Sequence, residues 1–154
     1  MRFAKGIVLV LCGLLIVIQF IRPSRNQSKR VMATDISKVL TMPDTVLTLL
    51  KKACYDCHSN STDYPWYSNV QPMGWLMAYH INHAKNQLNF SDFGSYSNRR
   101  QLSKLDGIVN SLKDDIMPLK SYKIMHKSAQ LSKDEKLLLI NWAEQSVDSL
   151  STMK

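Results

Sequence analysis

The sequence predicts an all-α fold, a small helical domain behind an apolar amino-terminal segment. Apolar residues recur at helical spacing in several separate stretches, no stretch alternates convincingly as a strand would, and helix-start signals precede two of the apolar runs. The 154 residues, 45% hydrophobic and 21% charged, are enough for one domain plus a short extra segment. With 8% aromatic residues and only 5 Gly and 5 Pro, a disordered or collagen-like chain is excluded. Three unevenly spaced cysteines are too few for a disulfide scaffold.

The chain opens with a short basic stretch, Met1 to Lys5, and Gly6 to Ile21 is apolar apart from Gln19. As a helix this run would extend about 24 Å, slightly short of a bilayer core of about 30 Å. A cleaved signal peptide needs small residues before the cut, and Ile18-Gln19-Phe20-Ile21-Arg22-Pro23 provides none. Cys12 follows Leu11 where a lipidation signal wants a small residue. The reading is an uncleaved membrane anchor over residues 1–22, a single-pass transmembrane helix. A polar, basic tether over 23–40 then leads to a domain over 41–150.

Charge narrows the partners. The formal net charge is +8, but residues 31–154 hold 14 basic and 12 acidic side chains. The excess sits in Arg2, Lys5, Arg22, Arg25, Lys29 and Arg30, around the apolar run. A nearly neutral domain lacks the electrostatic footprint of nucleic-acid binding. Four basic residues follow the apolar run and two precede it, which alone would leave the carboxyl terminus in the cytoplasm. The cysteine chemistry below argues for the opposite side.

Within the domain, Thr41-Met42-Pro43-Asp44 reads as a helix start, with Thr41 as cap and Pro43 in the first turn. Val46, Leu47, Leu49, Leu50 and Ala53 then share a face, and the helix runs into Cys54. A loop rich in Ser, Asn and Asp ends at Tyr64-Pro65-Trp66-Tyr67. A second helix is expected from Met73 to Leu88 and a third from Asn98 to Lys113, where Leu102, Leu105, Val109 and Leu112 align. Ser132-Lys133-Asp134-Glu135 is a capping box before Leu137, Leu138, Ile140 and Val147.

Cys54-Tyr55-Asp56-Cys57-His58 carries the chemistry. Two cysteines three apart can each form a thioether to a vinyl group of one haem, and the adjacent histidine then coordinates the iron from the proximal side. The spacing is required because both thioethers and the iron bond belong to one rigid macrocycle. The motif therefore predicts one covalent haem c. A redox dithiol would expect a βαβ setting that this helical chain lacks. A zinc site would need Cys54, Cys57 and His58 to recruit His80 or His83.

For the second axial position, Met117 precedes Pro118 and follows a helix. A residue before proline avoids helical geometry, so Met117 belongs on an extended strap that can cross the open face of the ring. His80 is the alternative distal ligand, with His83 three residues on; either would give a bis-histidine centre of lower potential. His126 follows the strap and reads as a surface or capping residue. Trp66, Tyr67 and Trp75 are candidates for pocket lining. Arg99 and Arg100 could pair with haem propionates but read first as a solvated helix start.

The stretch from Cys54 to Tyr67, Tyr-Asp-Cys-His-Ser-Asn-Ser-Thr-Asp-Tyr-Pro-Trp between them, resembles the opening signature of the bacterial haem-binding domain family, a c-type-cytochrome-like group. Trp75 with His80, the segment Leu88 to Ser91, Met117-Pro118 through Tyr122 with His126, and Ala129 to Ser132 leading to Trp142-Ala143 extend it over about residues 43–145. The resemblance implies an exported or membrane-anchored monohaem protein with Cys54, Cys57 and His58 at the attachment and proximal positions.

The expectation is a cytochrome-c-like helical domain around one covalent haem, tethered to the inner membrane by one helix with the domain in the periplasm. Its work would be one-electron transfer with an unidentified redox partner, with no catalytic residue. The competing class is a peroxidase-like enzyme or a gas or redox sensor with a displaceable sixth ligand, where His80 could serve as distal acid/base. A third is a structural role for haem or zinc.

Overall fold

The computed structural model describes residues 2–28 and 30–152. Met1 and Lys29, the latter one of the six basic residues counted above, lie outside the described residues, as does the end of the chain. Eight α-helices follow in order: α1 (Arg2–Ile18), α2 (Ile36–Val39), α3 (Asp44–Ala53), α4 (Tyr55–His58), α5 (Met73–Gln87), α6 (Asn98–Lys113), α7 (Lys120–Met125) and α8 (Lys133–Thr152). Short 3-10 turns at Trp66–Asn69, Phe90–Ser95 and Lys127–Ala129 connect them. The all-α expectation holds among the described residues, where the extended pairing is an isolated bridge between Gln27 and Ser61.

The expected amino-terminal transmembrane helix is corrected. No helix among the described residues is long and apolar enough to cross a membrane. Helix α1 has 17 residues, about 26 Å at 1.5 Å per residue, and its apolar part begins only at Gly6. It stops at Ile18 because the polar side chain of Gln19 turns back on the domain. Gln19 Nε2 donates to the Leu15 carbonyl at 2.9 Å and the Gln71 carbonyl at 3.1 Å, and its Oε1 accepts from Gln71 N at 2.8 Å. Ile21 is held in turn by Trp75 Nε1, which donates to its carbonyl at 2.8 Å. The last residues of the apolar run therefore leave the helix, and the single-pass inner-membrane localisation with a periplasmic domain loses the span it required.

The segment read as a tether lies along the domain. Asn26 Nδ2 donates to the Ser59 carbonyl and Thr62 Oγ1, and Ile36 is fully buried. Asp35 caps α2, accepting from Ser37 N at 3.0 Å.

The core forms where α6 and α8 pack side by side. Leu105, Val109 and Leu112 of α6 meet Leu139, Trp142 and Ala143 of α8, with Val46 and Leu50 of α3 closing the cluster. Leu102, expected on that face, is only half-buried. Fully burying each such aliphatic side chain contributes about 1.5–3 kcal/mol, which explains why the 3.6-residue period survives in all three helices. The capping box forms as expected: Ser132 Oγ accepts from Glu135 N at 3.1 Å and Glu135 Oε2 from Ser132 N at 2.7 Å. Helix α3 begins at Asp44 with Pro43 as its cap rather than Thr41, whose carbonyl accepts instead from Trp142 Nε1 at 3.2 Å.

Candidate functional site

Cys54 is the joint between α3 and α4. Its amide donates to the Leu50 carbonyl at 2.8 Å, ending α3, and its own carbonyl accepts from the amides of Cys57 and His58 at 3.2 and 3.0 Å. One helical turn thus brings Cys54, Cys57 and His58 together, which is what the three-residue spacing demands. Beyond Cys57, Asp56 fixes the following loop: its Oδ1 accepts from Asp63 N at 3.0 Å and its carbonyl from Thr62 Oγ1 at 2.6 Å.

His58 is oriented from behind. Its Nδ1 lies 2.9 Å from the carbonyl of Leu88, the residue that caps α5. A carbonyl only accepts, so the proton sits on Nδ1 and the lone pair of Nε2 is left free. Burial pushes the imidazole below its usual value, partly offset by the backbone hydrogen bonds, and favours the neutral form a metal needs. This is the arrangement that sets the tautomer and basicity of metal-binding histidines.

Cys54 and His58 border a cavity of about 330 Å³, within the size range of ligand pockets. Leu50 and Ala53 of α3, Leu88, Phe90, Gly107 and Ile108 of α6, and Leu139 of α8 supply apolar lining. Met117 and Pro118 line it from the non-helical segment between α6 and α7. The segment is held to α6 by the Ser111 carbonyl, which accepts from the amides of Ile116 and Met117 at 3.0 and 3.2 Å. A Cβ built at Gly107 meets nothing within 4 Å, so α6 presents open space to the cavity at that point.

The chemistry of this donor set fits a haem: a neutral imidazole and a thioether at an apolar cavity, with a cysteine alongside. It fits the alternatives less well. Burial pushes Cys54 up to about 12 and Cys57 up to about 11, in the opposite direction to the lowered value of a reactive redox thiol. Among the described residues no group of three His, Cys, Asp or Glu side chains is placed to hold a metal ion.

The remaining candidates lie elsewhere. Cys57 is half-buried and does not line the cavity. His80 is half-buried on α5 against Tyr79, and His83 is exposed, stacked on the same tyrosine; neither lines the cavity. His126 stacks on Tyr122 with ring centroids 4.2 Å apart and meets the Tyr67 hydroxyl at 3.3 Å. Trp66 is 77% exposed, and Trp75 is occupied with Ile21. Arg99 and Arg100 are exposed, Arg100 lying over the Tyr96 ring. Two features had not been singled out from the sequence. One is the Tyr122 hydroxyl donating to Asp56 Oδ2 at 2.6 Å, which with burial pushes the phenol well above its usual range. The other is Lys104, which lines the cavity.

An all-helical domain with a half-buried histidine, hydrogen-bonded through Nδ1, and a thioether at one apolar cavity defines the class of helical metalloporphyrin-binding proteins. The family model described as the haem-binding domain matches residues 13–145, and the chain belongs to that family. It is a haem-binding, and hence iron-binding, protein. No curated protein and no solved structure gives a significant match to the chain.

Proposed function

We propose that the protein is a monohaem c-type electron carrier, its haem joined through thioethers to Cys54 and Cys57 and its iron held between His58 Nε2 and the Met117 sulfur. The observation that carries this reading is the meeting of Cys54 and His58 with Met117, 59 residues further along the chain, at one apolar cavity. Bound haem supplies a one-electron iron couple. His58 contributes a neutral ligand already oriented by the Leu88 carbonyl, so little reorganises at the proximal side. Met117 contributes a soft sulfur that favours ferrous iron and raises the potential relative to two histidines. Each thioether forms by addition of a cysteine S–H across a vinyl C=C, with no leaving group, and α4 holds both thiols one turn apart.

A sensor reading has its own support in the position of Met117. It sits half-buried in a bend beside Ile116, which is 55% exposed, so displacing this short segment opens the sixth position to a small ligand. A peroxidase-like reading has less, because no Asp or Glu and no histidine besides His58 is among the described residues lining the cavity.

Covalent attachment is tested with protein made alongside a c-type maturation system. The haem should stay with the chain through denaturing electrophoresis and acid-acetone extraction, and Cys54→Ala with Cys57→Ala should abolish that retention. Haem that extracts freely from the wild type overturns the thioether assignment.

A further inference from the structure

We propose that Lys104 is a propionate-binding residue, its ammonium pairing with a carboxylate of the haem; the inference rests on the haem reading of the cavity. A haem is apolar around most of its rim and anionic at one edge, so a cavity that takes it needs a cationic or polar stretch in an otherwise apolar wall. Lys104 is the one charged side chain among the described residues lining the cavity. It is half-buried on α6, one turn before the open space at Gly107. The lysines that form ion pairs in the described structure are Lys52, Lys113, Lys123 and Lys136, and Lys104 is not among them. A lysine outside these ion pairs, on the lining of a mostly apolar cavity, is available to an anion bound there. Ser103 beside it and Gln87 from the end of α5 also line the cavity, both exposed and both able to donate to a carboxylate. Leu50, Ala53, Leu88 and Phe90, which also line the cavity, offer no such side-chain donor. Arg99 and Arg100, the cations nearest in sequence, are exposed and do not line the cavity.

The test uses the haem-loaded full chain and two readouts: the propionate bending band in the resonance Raman spectrum, and the ferrous-to-ferric ratio at a fixed applied potential. Lys104→Gln removes the charge and should shift the band. It should also lower the ferrous-to-ferric ratio about fivefold, because the unpaired carboxylate favours ferric iron. Lys104→Arg should shift the band through its different donor geometry while leaving the ratio near that of the wild type. A band and ratio unchanged in Lys104→Gln overturn the proposal, and should that variant not load haem, an unchanged band in Lys104→Arg does so. A wild-type chain with no haem absorbance after maturation overturns the haem reading itself, an outcome distinct from a loaded protein whose band ignores Lys104.

Discussion

His58 and Leu88, thirty positions apart, are joined by a 2.9 Å hydrogen bond from the imidazole Nδ1 to the backbone carbonyl. The bond couples the short helix carrying the Cys-x-x-Cys-His motif to the end of α5, and it turns the free ring nitrogen into a ligand of fixed direction. Because its acceptor is a backbone atom, substituting Leu88 does not remove it.

The first prediction concerns pH. Burial holds folded His58 below its usual value of 6.5, so in the haem-free chain the unfolded state takes up a proton at a higher pH than the folded state. The stability associated with His58 is therefore constant above that value and falls as pH drops through it toward the lower folded value. Urea titrations of the haem-free chain across this window should show the decline, and His58→Gln should remove that part of it. An identical pH profile in the variant contradicts the account.

Gly107 should separate folding from haem loading. Alanine there meets no neighbour and gains helix propensity, so Gly107→Ala should raise stability by about 0.5–1 kcal/mol in the haem-free chain. Gly107→Leu adds a bulky side chain to the cavity lining and should sharply reduce haem per chain while circular dichroism stays helical. Normal loading of the leucine variant would show that the haem lies elsewhere.

Tyr122 stabilises the turn after the motif through its 2.6 Å bond to Asp56. Tyr122→Phe keeps the ring stacked on His126 but leaves that carboxylate oxygen without this donor. A loss of about 1–3 kcal/mol is expected, read as a lower Tm. Tyr67→Phe, which removes only the 3.3 Å contact to His126, should cost less. An unchanged Tm in Tyr122→Phe would mean that water replaces the phenol without loss.

The sequence made some of this architecture legible because the physics was local. The Ser132–Glu135 box is two reciprocal hydrogen bonds within one turn, and Leu105, Val109 and Leu112 repeat at the helical period that burial requires. The clustering of Cys54, Cys57 and His58 follows from a three-residue spacing. What stayed hidden depends on distant partners. The Leu88 carbonyl has no side-chain signature, and Lys104 and Gly107 read as a solvated helix face until the facing wall is placed. The end of α1 escaped for the same reason. The apolar run continues to Ile21, but Gln19 finds Gln71, far along the chain, and the helix stops. Ile36 has no periodic partners in the polar stretch before it, and its burial depends on later segments of the chain.

The most direct test of the central claim is the optical spectrum of the ferric protein with and without Met117. The account predicts a six-coordinate low-spin wild type with a long-wavelength sulfur-to-iron charge-transfer band. That band should vanish in Met117→Ala, which should also bind carbon monoxide more readily in the ferrous state, and it should persist in His80→Ala. A Met117→Ala spectrum identical to the wild type, with low-spin character lost in His80→Ala instead, contradicts the assignment of the cavity's sulfur to the iron.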